Sequence, residues 1–486
     1  MQRTGAMGRR GPDLTAGPIG KTLLLFSLPL LGSNVLQSVN GSANAIWVSH
    51  TLGESALAAI SNANQIFFLM LGAMFGLTMA ANILIGQAMG ARDERTARKV
   101  VGTCTLFFAV ASTVVGLAGV ALTPLILDAM GTPADARAEA VAYLTVIFLA
   151  LPLIYFTTFL MMAQRGTGDS RTPFYFSAMV VLLDVILNPL LILGVGPLPR
   201  LEIAGSATAT LIAQAITLVA FMVHLYRRKS ILVLRPGEFH LLKPDLTIIR
   251  TLVFKGLPMA FQMMVISLAA VTMMSLVNGF GSQTAAAYGA AVQIWTYVQM
   301  PAMALGAAVS TIAAQNVGAG RMDRVAEVAR KGVIFAFLGT TVLVIVLEIA
   351  KSYVMAAFLP ADSEAMAIAG RINTIVLWGF IPFGVAFIFN GVVRATGAVW
   401  PPLLAMIIAL WVVRVPFATV MMPHIGADAI WWSFPVGSIV MVLLAAGYYR
   451  WGGWRKARML PTAEKVEGEA PDTGLGMPIE EGESAR

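Results

Sequence analysis

Charge is scarce in this sequence. Asp, Glu, Lys and Arg make up 12% of its 486 residues, roughly half the share of about 25% that soluble domains carry. A water-soluble enzyme of this size is excluded, because even a large domain exposes much of its surface and must cover it with polar groups. Cysteine is nearly absent, and the single Cys104 rules out an intrachain disulfide or a thiolate metal cluster. Four histidines, His50, His224, His240 and His424, lie far apart and give no metal-ligand spacing. No GxxxxGK[ST] sequence occurs, which excludes a Walker A nucleotide site. No cofactor is expected. The net charge of +8 would suit nucleic acid only if the basic residues formed a stripe; they are dispersed over short loops, and no nucleic-acid partner is expected.

Apolar residues fill the space that charge vacates. They make up 58% of the chain, and mean hydropathy is +0.78. A helix crosses the hydrocarbon with about 20 apolar residues. Twelve runs of that kind stand at about 22–48, 56–86, 100–127, 140–163, 173–195, 203–226, 251–279, 284–314, 332–358, 372–393, 400–422 and 429–449. They are continuous, not the short alternating strands of a barrel. The first exceeds a signal-peptide core and reads as an uncleaved span. The expected fold class is therefore an all-α membrane protein of twelve transmembrane helices.

Alternate loops hold the Lys and Arg: Arg92, Arg95, Arg98 and Lys99; Arg165 and Arg171; Arg227 to Lys255; Arg321, Arg324, Arg330 and Lys331; Arg394. The intervening loops hold only Arg137, Arg200, Lys351 and Arg371. Since cytoplasmic loops carry the positive excess, both termini are expected in the cytoplasm, and the resemblance described below implies the cytoplasmic (inner) membrane. The acidic stretch after Met459 reads as disordered.

The chain also repeats itself. Ser27-Leu28-Pro29 returns as Gly256-Leu257-Pro258, Gly86-Gln87-Ala88-Met89-Gly90-Ala91 as Ala314-Gln315-Asn316-Val317-Gly318-Ala319, and Arg165-Gly166-Thr167-Gly168 as Arg394-Ala395-Thr396-Gly397, at an offset of 228 or 229. Six spans per repeat is an even number, so both lobes enter from one side and an axis along the membrane normal relates them. The expected organisation is a segment 1–20, a lobe over 21–228, a linker 229–250, a second lobe over 251–456 and a tail 457–486, in two pseudo-symmetric six-helix lobes.

These residues resemble the multidrug and toxic compound extrusion (MATE) family over about Lys21 to Lys456. The resemblance rests on the repeat, on Asn44-Ala45-Ile46-Trp47-Val48, on Gly86 to Ala91, on Gly166-Thr167-Gly168-Asp169-Ser170-Arg171-Thr172-Pro173, on Asn188-Pro189 and on Ala204 to Thr210. It implies a monomeric antiporter that expels small organic compounds, often cationic, against protons or sodium ions, with membrane lipid around it. Members with a cation site in the N-terminal lobe typically have Asp where this chain has Asn44, and Asn then Asp where it has Asp184 then Asn188. A branch with acids in spans seven and ten has no counterpart here, so the coupling chemistry belongs to the first lobe.

A carboxylate at bilayer depth normally marks an ion or proton pathway, and Asp184 stands mid-run among Val180 to Leu187. Asn188, one turn on, shares its face. Asn44 and Thr210 are the family-matched residues expected to face them; interhelical hydrogen bonding is the plainer role for all four. Arg414 is a deep cation in the second lobe, either lining a cavity or neutralising helix carbonyls. Met263 and Met264 belong to a methionine-rich span that suits a polyspecific cavity or ordinary packing. Glu348 and Lys351 are expected to pair, and Trp431, Trp432, Trp451 and Trp454 to form an aromatic belt. The expected function is ion-coupled export of drugs or xenobiotics. A lipid-linked oligosaccharide flippase is the alternative, and an intramembrane enzyme, for which neither a nucleophile and base nor a metal set stands out, is a remote third.

Overall fold

The computed structural model describes residues 12–52, 54–129, 132, 134–194, 199–233, 243–360 and 363–459. The expected tail from 460 onward, most of the N-terminal segment and the middle of the linker lie outside the described residues. Helices dominate and no strand occurs among the described residues. Twelve helices are long and apolar enough to cross a membrane. Spans 1 to 6 are Ile19–Leu52, Glu54–Gly90, Glu94–Ala129, Ala134–Gly166, Arg171–Leu193 and Glu202–Arg227; spans 7 to 9 are Leu246–Asn278, Ser282–Gly318 and Met322–Met355. Spans 10 to 12 are Glu364–Ala395, Trp400–Ile425 and Asp428–Trp451. Span 7 outruns its apolar core because its first turn is held by a polar group. Asp245 receives the N–H groups of Thr247 and Ile248 and pairs with Lys99, starting span 7 five residues before its apolar run.

The repeat survives as architecture. Spans 2, 4, 8 and 10 are the most buried and spans 3 and 9 the least, so each lobe has matching inner and outer helices. The lobes meet where span 1 packs on span 8, span 2 on span 7, and span 2 on span 8. Small residues permit this closeness. A Cβ on Gly76 would stand 2.2 Å from the backbone nitrogen of Ala260, one on Gly90 1.8 Å from the carbonyl oxygen of Gln315, and one on Gly318 1.9 Å from that of Gln87. The last two contacts are mirror images under the repeat. The same symmetry governs two hydrogen bonds: Gln87 Nε2 donates to the Ala395 carbonyl at 2.7 Å, and Gln315 Nε2 to the Gly166 carbonyl at 2.9 Å. The Gly90, Gly318, Gln87 and Gln315 contacts lie at the end of the bundle that carries the basic loops, hereafter the basic end.

Residues Leu14 to Gly17 close over that end. The Leu14 N–H donates to Gln315 Oε1, Asn316 to the Leu14 carbonyl, Arg321 to that of Thr15 and Arg324 to that of Gly17. The chain start thus ties itself to the opposite lobe. Glu348 and Lys351 pair as expected, with Thr374 joining both. The tryptophan belt needs correction. Trp432 and Trp451 are exposed, but Trp431 and Trp454 are buried, stacked on Tyr288 and Tyr449. Position at a span end does not decide which face an indole takes; helix phase does.

Candidate functional site

Asp169 sets the start of span 5. Its carboxylate accepts from the N–H groups of Arg171 and Thr172, from the Thr172 hydroxyl at 2.6 Å and from Gln164 Nε2. Burial opposes ionisation of this carboxyl, but the hydrogen bonds of Thr172, Gln164 and Arg171 outweigh it and hold it below the ordinary carboxylate range. From this anchored start, Asp184 lies thirteen residues along, about 20 Å into the span at 1.5 Å per residue.

There Asp184 is fully buried, as is Asn188. Thr210 of span 6 donates its hydroxyl to Asp184 Oδ1 at 2.9 Å, and Asn44 of span 1 donates Nδ2 to Oδ2 at 3.1 Å. Asn188 donates its amide to Asn44 Oδ1 at 2.5 Å. The four residues expected from the sequence are therefore one connected network across spans 1, 5 and 6. Two further residues join it. Asn40, one turn before Asn44, and Tyr143 of span 4 both lie within electrostatic reach of the carboxyl. The spacing of Asn40 to Asn44 was a usable signal, since residues four apart share a helix face. Nothing in the sequence singles out Tyr143.

Two amide oxygens in this cluster, Asn40 Oδ1 and Asn188 Oδ1, are buried without a hydrogen-bond partner among the described residues. Buried polar atoms are nearly always satisfied, so the pair is unspent acceptor capacity beside the carboxylate. Among the described residues, no three His, Cys, Asp or Glu side chains converge. The oxygens available are thus one carboxylate, amides and a hydroxyl, a set suited to a proton or a hard monovalent cation.

The second lobe holds the opposite charge. Arg414 ends a π-helical turn, Ile408–Arg414, inside span 11. Its guanidinium lies over the Phe434 ring, 3.3 Å from the centroid, with Tyr288 in its field and its stem against Gly437. No carboxylate among the described residues pairs with it, and its Nε is buried without a partner. An arginine at a helix centre costs about 2.5 to 3.5 kcal/mol in membrane insertion. A desolvated cation–π contact returns about 2 kcal/mol of that. Met263 packs against Gly72 where span 7 meets span 2. Met264 stands on an exposed apolar stripe with Leu257, Phe261, Leu268 and Val271.

Two six-helix lobes packed on each other, with an acid buried in one and a half-buried base in the other, define a multi-pass membrane transporter. The MatE family profile matches residues 29–190 and 258–420, one stretch in each lobe, and the chain belongs to this family of multidrug efflux transporters, not to the enzymes. It is 37% identical over 447 residues to a probable multidrug resistance protein, YoeA, of Bacillus subtilis, covering 91% of this chain and 95% of that protein. It is 29% identical to YpnP of the same organism, also named a probable multidrug resistance protein, covering 92% and 98%. A solved structure described as the outward-facing conformation of a multidrug resistance MATE family transporter superposes with a TM-score of 0.83 at 20% identity, covering 91% of this chain and 98% of that one.

Proposed function

We propose that this protein is an antiporter of the cytoplasmic membrane that exports small organic compounds in exchange for protons, with Asp184 as the group that takes up and releases the ion. The observation that carries the reading is the complete burial of Asp184 within the hydrogen-bonding reach of Asn44 and Thr210. A carboxylate so enclosed at bilayer depth is costly, and a transport role accounts for it. The names of the relatives from Bacillus subtilis support drug-like cargo.

The basic end is the cytoplasmic one in this reading, because positive loops stay inside. Both termini then lie in the cytoplasm. The sealed contacts of Gln87, Gln315, Gly90 and Gly318 form the closed inner gate, which the two lobes of a monomer open by rocking apart in lipid. The unpartnered oxygens of Asn40 and Asn188 favour one second reading, sodium in place of the proton, since sodium gathers several oxygen ligands.

Dye efflux in everted vesicles tests both. Proton coupling predicts efflux driven by a pH gradient in sodium-free buffer and lost in Asp184→Asn. Efflux that requires a sodium gradient at constant pH would transfer the role to sodium. Full pH-driven efflux by Asp184→Asn, at equal membrane abundance, would overturn the assignment of Asp184.

A further inference from the structure

Arg414, half-buried at mid-span, is a charge that the coupling reaction leaves unused. We infer that Arg414, with Tyr288 and Phe434, forms a subsite in the second lobe that takes an anionic oxygen group, a carboxylate or phosphate, of the exported compound. The inference rests on the transport reading above and adds a substrate class to it: compounds that carry a negative group, zwitterions included.

Direction comes first. Trp400, Leu404, Ile408, Val412 and Val420 are the exposed apolar stripe of span 11, the face that meets lipid. Arg414, two residues past Val412, lies on roughly the opposite face of the helix, toward Phe434 of span 12 and within electrostatic reach of Tyr288 of span 8. Its remaining partial exposure is therefore to the space between helices. Depth excludes a lipid headgroup as the anion. Arg414 lies fourteen residues past Trp400 and eleven before Ile425, about 20 Å and 16 Å from the span ends, near the middle of a hydrocarbon layer about 30 Å thick.

Geometry then shows which part of the guanidinium is free. The Phe434 ring occupies one face at 3.3 Å. The N–H donors of a guanidinium lie in its plane, where they match a carboxylate or phosphate two at a time. The ring contact holds the guanidinium in place, and its Nε, buried, has no hydrogen-bond partner among the described residues. The walls are stiff as well. Tyr288 packs edge-on to Trp295 at 5.6 Å and stacks on Trp431 at 5.8 Å, and Trp295 Nε1 donates to Asn373 Oδ1 at 3.0 Å.

The repeat supplies an independent argument. At the offset of 229 that relates Arg165 to Arg394, Asp184 corresponds to Val413. Val413 and Arg414 both lie in the π turn Ile408–Arg414, so the second-lobe counterpart of the Asp184 position falls at this turn, beside Arg414. π turns of this kind are frequent at functional sites. The two lobes thus place opposite charges at matching depth, one for the coupling ion and one for the anionic group of the cargo.

The test uses the full chain in lipid nanodiscs and one xanthene dye in two forms, rhodamine 19 as the free acid and rhodamine 6G as its ethyl ester, with affinity read by fluorescence anisotropy against empty discs. The acid should bind at least tenfold more tightly than the ester. Arg414→Gln should lower that ratio at least fivefold, and Arg414→Lys, which keeps the charge without the stacked fork, should fall between. Equal affinities in the wild type, no binding of the acid, or a ratio unchanged in Arg414→Gln would overturn the inference. The transport reading fails separately: ion-driven export of the ester that Asp184→Asn abolishes would preserve it even if the acid shows no preference.

Discussion

Asp184 and Asn188 hold the acid and the amide in the reverse of the family's usual order, and the network tolerates this because Asn44 faces both at once. It donates to Asp184 through Nδ2 and accepts from Asn188 through Oδ1. Asn188→Ala removes an indirect contact and leaves the carboxyl in place, so it should shift the pH dependence of efflux without abolishing it. The double exchange Asp184→Asn with Asn188→Asp should recover part of the efflux that Asp184→Asn loses, measured as initial rate in everted vesicles. Absence of any rescue would mean that the carboxyl must stand at position 184 itself. Four members of this network were legible in the sequence because a carboxylate inside an apolar run is conspicuous and amides and hydroxyls could be matched to it. Tyr143 was not, since a tyrosine in an apolar helix is ordinary until a neighbouring helix brings a charge beside it.

At the scale of the element, helix ends and irregular turns carry what apolar runs cannot show. The run read for span 7 begins at 251, yet the helix begins at Leu246, because Asp245 caps a turn that hydropathy does not register. The π turn in span 11 was equally hidden, since it changes hydrogen-bond register without changing composition. Asp169 illustrates what such ends are worth. Its carboxylate replaces missing helical partners at the start of span 5, a cap of the kind that costs about 0.5 to 2 kcal/mol to remove. Asp169→Ala should therefore lower the melting temperature in detergent at neutral pH. Its folded carboxyl titrates below the ordinary value of about 3.9, so the stabilisation is present above that pH and is lost as pH falls through the folded value. The wild-type and Asp169→Ala melting curves should converge in strong acid and separate again on return to neutrality. Parallel curves at every pH would mean that the cap contributes through packing alone.

For the whole molecule, the two-lobe plan was legible because a repeat of 228 or 229 residues is written in short motifs, and Gly90 with Gly318 turns out to be where those motifs touch. The strap of Leu14 to Gly17 was not legible, because most of its bonds end on backbone carbonyls that any residue possesses. It nevertheless joins the start of one lobe to spans 8 and 9 of the other through four hydrogen bonds. At about 1 kcal/mol net for each bond, even half of that total would move a two-state equilibrium by roughly thirtyfold. Deleting residues 1–17 should then favour separation of the lobes at the basic end. Spin labels on Arg95→Cys and Arg330→Cys, both exposed on opposite lobes at that end, report the distance directly once the buried Cys104 is replaced by alanine. Double electron–electron resonance should show one dominant short distance for the full chain and a second, longer population for the deletion. Restoring the segment with Arg321→Ala and Arg324→Ala should give an intermediate distribution, because those substitutions remove two of the four bonds and keep the others. Superimposable distributions for all three proteins would show that Gln87, Gln315 and the glycine crossing hold the end closed without the strap.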